Sequence, residues 1–311
     1  MLWLTLMTYD QQNSTEGEPE PMQGIINFFV GILTLGGQFD WGLVKQYLFD
    51  SSILSGAIIT VILAIISQIT GSFIGLLLYL LRRSQFRVVR GIAELYIWFF
   101  RGTPLLVQLL LLISLFPYLH LVRVIRAHDF FPALGFQYVA LEVFLPAFIA
   151  FSLNEGAYMS EIVRAGIDSI DTGQMEAAKS LGMTFGQAMR RIILPQAVRV
   201  ILPPLGNEFN SMLKNTSIAG TFALTELYLA ASNLGSSFFK PLEFGIVAAF
   251  WYLVMTTLWG FVQSWLERRF NASNLDGPKN TSFIDRLLGR GNKPVTPDAL
   301  TKDIALTSGR R

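Results

Sequence analysis

The stretch Glu176–Ala197, "EAAKSLGMTFGQAMRRIILPQA", holds two glycines, a proline and four charged residues, Glu176, Lys179, Arg190 and Arg191. Within it, Thr184 followed three residues later by Gln187 forms a capping-box pattern, as do Asp171 and Gln174 just upstream. Gly182 stands where a left-handed turn ends a helix, and Pro195 is expected to stop the next one. The expected order is therefore helix, glycine turn, helix, proline. Met175, Ala178 and Leu181 recur at helical spacing and define a small apolar face, beside which lie Glu176 and Lys179. A short amphipathic helix of this kind suits a groove on another protein. It equally suits a loop helix resting on a membrane surface.

The flanks decide the solvent. Of the 311 residues, 52% are hydrophobic and 15% charged, a balance that belongs to a polytopic membrane protein. A span needs about 20 apolar residues to cross roughly 30 Å of hydrocarbon. Five runs qualify: Ser52 to Leu81, and stretches within Val89 to Leu119, Val139 to Ile162, Val200 to Leu224, and Phe244 to Leu266. The 13 residues Ile25 to Gly37 are short for a span and read as interfacial. The fold expected is all-α and integral to the membrane. Three regions follow: an extracytoplasmic or interfacial segment over residues 1–50, a transmembrane domain over 51–270 with the inserted loop at 168–195, and a largely disordered tail over 271–311.

Basic residues set the orientation. Eleven Lys and Arg follow span one, span five or lie between spans three and four, whereas Lys45, Arg123, Arg126 and Lys240 are the four on the other side. The N-terminus is expected outside and the C-terminus and insert in the cytoplasm. The first cation is Lys45, so no secretory leader is expected. Cysteine is absent and histidine limited to His120 and His128, which argues against a disulfide framework, a thiolate nucleophile or a metal site. The near-neutral net charge of +2 gives no reason to expect nucleic acid. With no carboxylate pair at fixed spacing either, a membrane-embedded enzyme has little support, and no catalytic residue is assigned.

The ordered set Glu176-Ala177-Ala178, Gly182, Ile192 and Leu194-Pro195 resembles the EAA signature of permease subunits of bacterial ABC importers. From about Phe39 to Phe270 the likeness extends through "RGTPLLVQ", "NEGAYMSEIVRAGI", "LPQAVRVILPPLGNEF" and "LKNTSIA" to the branch that imports polar amino acids such as histidine, glutamine, glutamate, arginine and opines. The resemblance implies a five-span importer domain in the inner membrane whose insert is a cytoplasmic coupling helix. It further implies a second permease subunit, cytoplasmic ATPase subunits that bind ATP-Mg, and an external solute-binding protein. No G-x-x-x-x-G-K-[ST] occurs in this chain, so it is expected to hold no cofactor of its own. A gradient-driven transporter is the competing class, and it leaves the insert unexplained.

Polar residues within apolar runs are costly and therefore informative. Asn207, Asn210, Lys214, Ser217 and Thr221 form a stripe about 80° wide on a helix. They either line a pathway, with Lys214 offered to a carboxylate, or make interhelical hydrogen bonds. Asn154, Glu155 and Tyr158 are further pathway candidates. A pathway-facing Glu155 would favour an ammonium or guanidinium, whereas Glu161 can simply pair with Arg164. Arg101, Gly102 and Pro104 interrupt the second run, either as the hinge of a broken helix or as the start of a span at Pro104. Gly71 and Gly75 read as a packing seam, with Gln68 on the same face.

Overall fold

The computed structural model describes residue 31 and residues 39–116 and 141–271. The interfacial run Ile25 to Gly37 (Gly31 apart), both histidines and the C-terminal tail lie outside the described residues. Among the described residues every regular element is helical. In chain order they are α1 (Trp41–Tyr47), α2 (Ser51–Arg82), α3 (Arg87–Gly102), α4 (Leu105–Leu115), α5 (Leu141–Asp168), α6 (Thr172–Ser180), α7 (Phe185–Ala188), a π-turn (Met189–Ile193), α8 (Leu194–Asn215), α9 (Ser217–Gly220), α10 (Leu227–Ser237) and α11 (Pro241–Asn271).

Helix α2 begins where Asp50 accepts from the Ser52 amide at 2.8 Å, satisfying a first-turn donor. At 32 residues it is about 48 Å long, more than the hydrocarbon thickness. Its ends thus stand beyond the apolar layer. Ile58, Ile65, Ile69, Phe73, Leu76 and Leu80 are exposed along it, while Gly71 and Gly75 face α5. A β-carbon on Gly75 would lie 2.4 Å from Met159 Cβ, and one on Gly71 would lie 2.6 Å from Glu155 Cβ. The two backbones approach as closely as only glycine permits. Gln68 Nε2 crosses the same seam to donate to Glu155 at 2.8 Å.

Apolarity and length alone single out α2 and Pro241–Phe270 as spans, and a third if α3 and α4, bent by 106°, count as one. Helices α5 and α8 are 28 and 22 residues long but carry Glu155, Glu161, Arg164, Arg199, Glu208 and Lys214. They also enclose the polar interior. Two to three spans, rather than five, are therefore identified by composition.

Buried Leu63, Leu109, Phe151, Phe209 and Leu213 bring α2, α4, α5 and α8 into one core. A second core, with Ile53, Leu227, Phe244 and Val247, joins α1, α2, α10 and α11. Trp251 Nε1 donates to the Leu48 carbonyl at 2.7 Å and Trp259 Nε1 to the Gly206 carbonyl at 2.8 Å, so both indole donors are satisfied where the rings are packed. At the far end of α2, Arg82 pairs with Glu161, which also holds Arg164 at 2.8 Å. The Glu161–Arg164 pair expected from the sequence is thus extended by a third partner.

Candidate functional site: a broken helix, a cavity and a coupling loop

Pro104 has no N–H to give the carbonyl of Phe100, four residues back, so the helix cannot run on unbroken. Thr103 is extended there, with φ −112° and ψ 144°, and α4 resumes at Leu105. Two amides satisfy the freed carbonyl. Gln108 Nε2 and Asn154 Nδ2 donate to Phe100 O at 2.9 and 3.0 Å, and Asn154 also donates to Gln108 Oε1 at 2.9 Å. Gln108 Nε2 further reaches the Thr103 carbonyl and hydroxyl at 3.0 and 2.7 Å. The break is a built feature, and Gln108 is its central residue. A glutamine in the apolar run "LLVQLLLL", one helical turn after Pro104, was the signal that could have marked it. Gln108→Leu is expected to weaken the fold by about 2 kcal/mol, because several buried groups lose a partner. A detergent melting curve indistinguishable from that of the parent protein would contradict this.

Against the break lies a cavity of about 440 Å³, within the usual range for small-ligand sites. Residues Arg101 to Leu105 form one wall, Asn154, Glu155 and Tyr158 of α5 a second, and Glu208, Met212 and Asn215 of α8 a third. The Arg101 guanidinium lies over the Tyr158 ring, 5.4 Å from its centroid, a cation–π arrangement. Asn154, Glu155 and Tyr158, and with them Arg101, Gly102 and Pro104, are brought together here. The expected stripe on α8 is not. Asn207 is turned to Gln263 at 3.3 Å, Lys214 is exposed, and Ser217 has passed onto α9, where its hydroxyl donates to the Lys214 carbonyl. Asn210 Oδ1 is buried without a partner. The cavity takes the neighbouring face, positions 208, 212 and 215, so Glu208 is the residue that stripe counting passed over.

The insert departs from expectation in three places. The Thr184–Gln187 capping box forms in both directions. Asp171, by contrast, caps through the Gly173 amide at 2.7 Å, and Gln174 is engaged at 3.5 Å by Gln196. Gly182 is left-handed, with φ +79°. Pro195 does not end the second helix. The chain widens into the π-turn, with the Leu194 amide bonded to the Met189 carbonyl, and continues into α8 with the proline in its first turn. A π-turn shifts the ladder by one residue, which lets the chain pass a residue that lacks a donor. Gln196 Nε2 caps the Ile192 carbonyl beside it at 2.9 Å. Of the proposed apolar face, Ala178 is buried and Met175 half-buried, but Leu181 is 81% exposed, because it lies at the turn beyond α6. Glu176, Ala177, Gly182, Leu194 and Pro195 are exposed, and Ile192 half-buried.

Together these features define a helical membrane protein with a broken helix, a polar cavity against the break and an exposed helical insert. Residues 71–272 match the binding-protein-dependent transport system inner membrane component family, to which this chain belongs. It is 43% identical over 236 residues to the arginine transport system permease protein ArgU of Corynebacterium glutamicum, covering 75% of this chain and 72% of that one. To the L-cystine transport system permease protein TcyB of Bacillus subtilis it is 41% identical over 241 residues, covering 77% and 94%. A crystal structure of an amino acid ABC transporter with histidines aligns at a TM-score of 0.61 and 35% identity, over 74% of this chain and 99% of that one. The chain is a membrane-spanning permease subunit of an ATP-driven amino-acid importer.

Proposed function

We propose that this chain, paired with a second permease subunit, carries polar amino acids through the cavity at the Arg101–Leu105 break, and that residues 168–195 couple it to a separate cytoplasmic ATPase. ATP and magnesium are held by that partner, and an external solute-binding protein delivers the amino acid. The N-terminus lies outside the inner membrane and the C-terminus in the cytoplasm, as the bias of basic residues supports. The observation that carries the coupling assignment is the exposed knuckle itself. Leu181 is 81% and Phe185 54% exposed on either side of the left-handed Gly182. Apolar tips beside exposed Glu176 and Lys179 suit a partner's groove. Buried Ala178, Ala188 and Ile193 fix the knuckle from behind.

Affinity purification in mild detergent tests this. A soluble subunit bearing a Walker A loop is expected to copurify with the wild-type chain and to be lost, by tenfold or so in yield, from Glu176→Ala combined with Gly182→Val. Undiminished recovery together with unimpaired uptake in that variant would remove the coupling assignment. Recovery of the chain alone, still transporting after ATP depletion, would favour a gradient-driven carrier.

A further inference from the structure

The walls of the cavity carry one cation, Arg101, and two carboxylates, Glu155 and Glu208. An α-amino acid with a basic side chain carries the inverse set, one carboxylate and two cations. We infer that the cavity selects such an amino acid, with its carboxylate on Arg101, its α-ammonium on Glu208 and its side-chain cation on Glu155. The inference rests on the reading of this cavity as the substrate site.

The assignment follows from position. Arg101 presents a planar fork suited to a carboxylate, and Leu105 at the same wall opens α4, whose Leu105 and Leu106 amides precede the first helical hydrogen bond, from the Val107 amide to the Pro104 carbonyl. Glu208 is the more open of the two acids, half-buried where Glu155 is buried, so the α-ammonium, one carbon from the α-carboxylate, belongs to Glu208. Glu155 is the deeper acid, 4% exposed, with one oxygen already held by Gln68. As the deeper acid it is assigned to the far end of the side chain. A neutral amino acid leaves one of these carboxylates without a counter-charge in a low-dielectric site, which is strongly unfavourable. An acidic one adds a second carboxylate with no cation to meet it. Cystine, with two carboxylates, fails for the same reason. The charge inventory thus separates substrates that the names of relatives leave mixed.

The test is equilibrium binding of tritiated arginine to the full-length permease in nanodiscs, with the subunits that copurify with it, in competition with lysine, citrulline, glutamine and cystine. Citrulline keeps the shape of arginine and lacks its charge. Lysine should displace the label, and citrulline, glutamine and cystine should do so about 30-fold less well or worse, the loss expected for one charge-assisted contact. In Glu155→Gln the gap between arginine and citrulline should fall to about threefold or less, whereas Glu208→Gln should weaken both alike and keep the gap. Equal binding of citrulline and arginine by the wild type, or an unchanged gap in Glu155→Gln, would overturn the inference while leaving the site in place. Binding of no amino acid by a complex that retains its ATPase would overturn both the inference and the reading of the cavity as substrate site.

Discussion

Gly75→Ala is expected to lower the stability of the folded chain by about 3 kcal/mol, the upper part of the range for overpacking a filled interior. The new methyl group would stand 2.4 Å from Met159 Cβ, 2.8 Å from the Ser160 amide nitrogen and 2.9 Å from the Met159 carbonyl carbon. Two of these are backbone atoms, so no rotamer change relieves the contact. The α2–α5 seam must open instead. Opening it also stretches the Gln68–Glu155 hydrogen bond about two turns away along α2 and shifts the α5 wall of the cavity. Gly91→Ala provides the control, since nothing lies within 4 Å of a β-carbon there and alanine favours the helix by about 1 kcal/mol. Melting of the two variants in the same detergent should separate them by roughly 10 °C. Coincident curves would show that the seam is looser than its geometry.

How much of this could be read from the sequence follows from the range of each interaction. The first span, expected at Ser52 to Leu81 and found at Ser51–Arg82, was legible because an apolar run is a local feature. The Thr184 capping box and the Gly182 turn were legible for the same reason. The glycine seam was legible as a pattern, though its partners Glu155 and Met159 were not, since they lie more than 80 residues away. The π-turn escaped because proline was read as a terminator, and the alternative, a widened ladder, depends on what the turn packs against. The cavity face of α8 escaped for a related reason. Counting polar residues favours the stripe through Asn207 and Lys214, but the bundle places Asn207 beside Gln263 and presents Glu208 inward. Polarity alone does not say which polar face is enclosed.

Glu226 was invisible to that reading, and its replacement by alanine is expected to have the largest effect on folding of any substitution considered, about 4 kcal/mol. It lies between the expected fourth and fifth spans, in "ALTELYLAA", and is fully buried. Its carboxylate accepts from the Tyr228 and Leu229 amides at 3.0 and 2.9 Å, capping α10 in a position where shorter side chains are usual. It also accepts from the Tyr252 hydroxyl at 2.8 Å and the Thr60 hydroxyl at 3.4 Å. Thr60 Oγ1 in turn accepts from the Leu227 amide at 3.2 Å. One carboxylate thereby joins α2, α10 and α11. The space around it is fitted to it, for a β-carbon on Gly220 would meet Glu226 Oε1 at 2.7 Å. Alanine leaves these donors buried without an acceptor, which costs more than the bonds themselves contribute. Glu226→Gln keeps the length and one acceptor oxygen but turns an NH₂ group toward donors, so about half the loss should remain. The ordering wild type, glutamine, alanine should appear in detergent melting temperatures and in the yield of monodisperse protein. The same order should be abolished in Tyr252→Phe combined with Thr60→Val only in part, because the two α10 amides still need the carboxylate. A glutamine variant as stable as the wild type, with alanine alone destabilised, would show that the charge of the cap and of the interhelical bonds contributes nothing and that Glu226 acts through its volume.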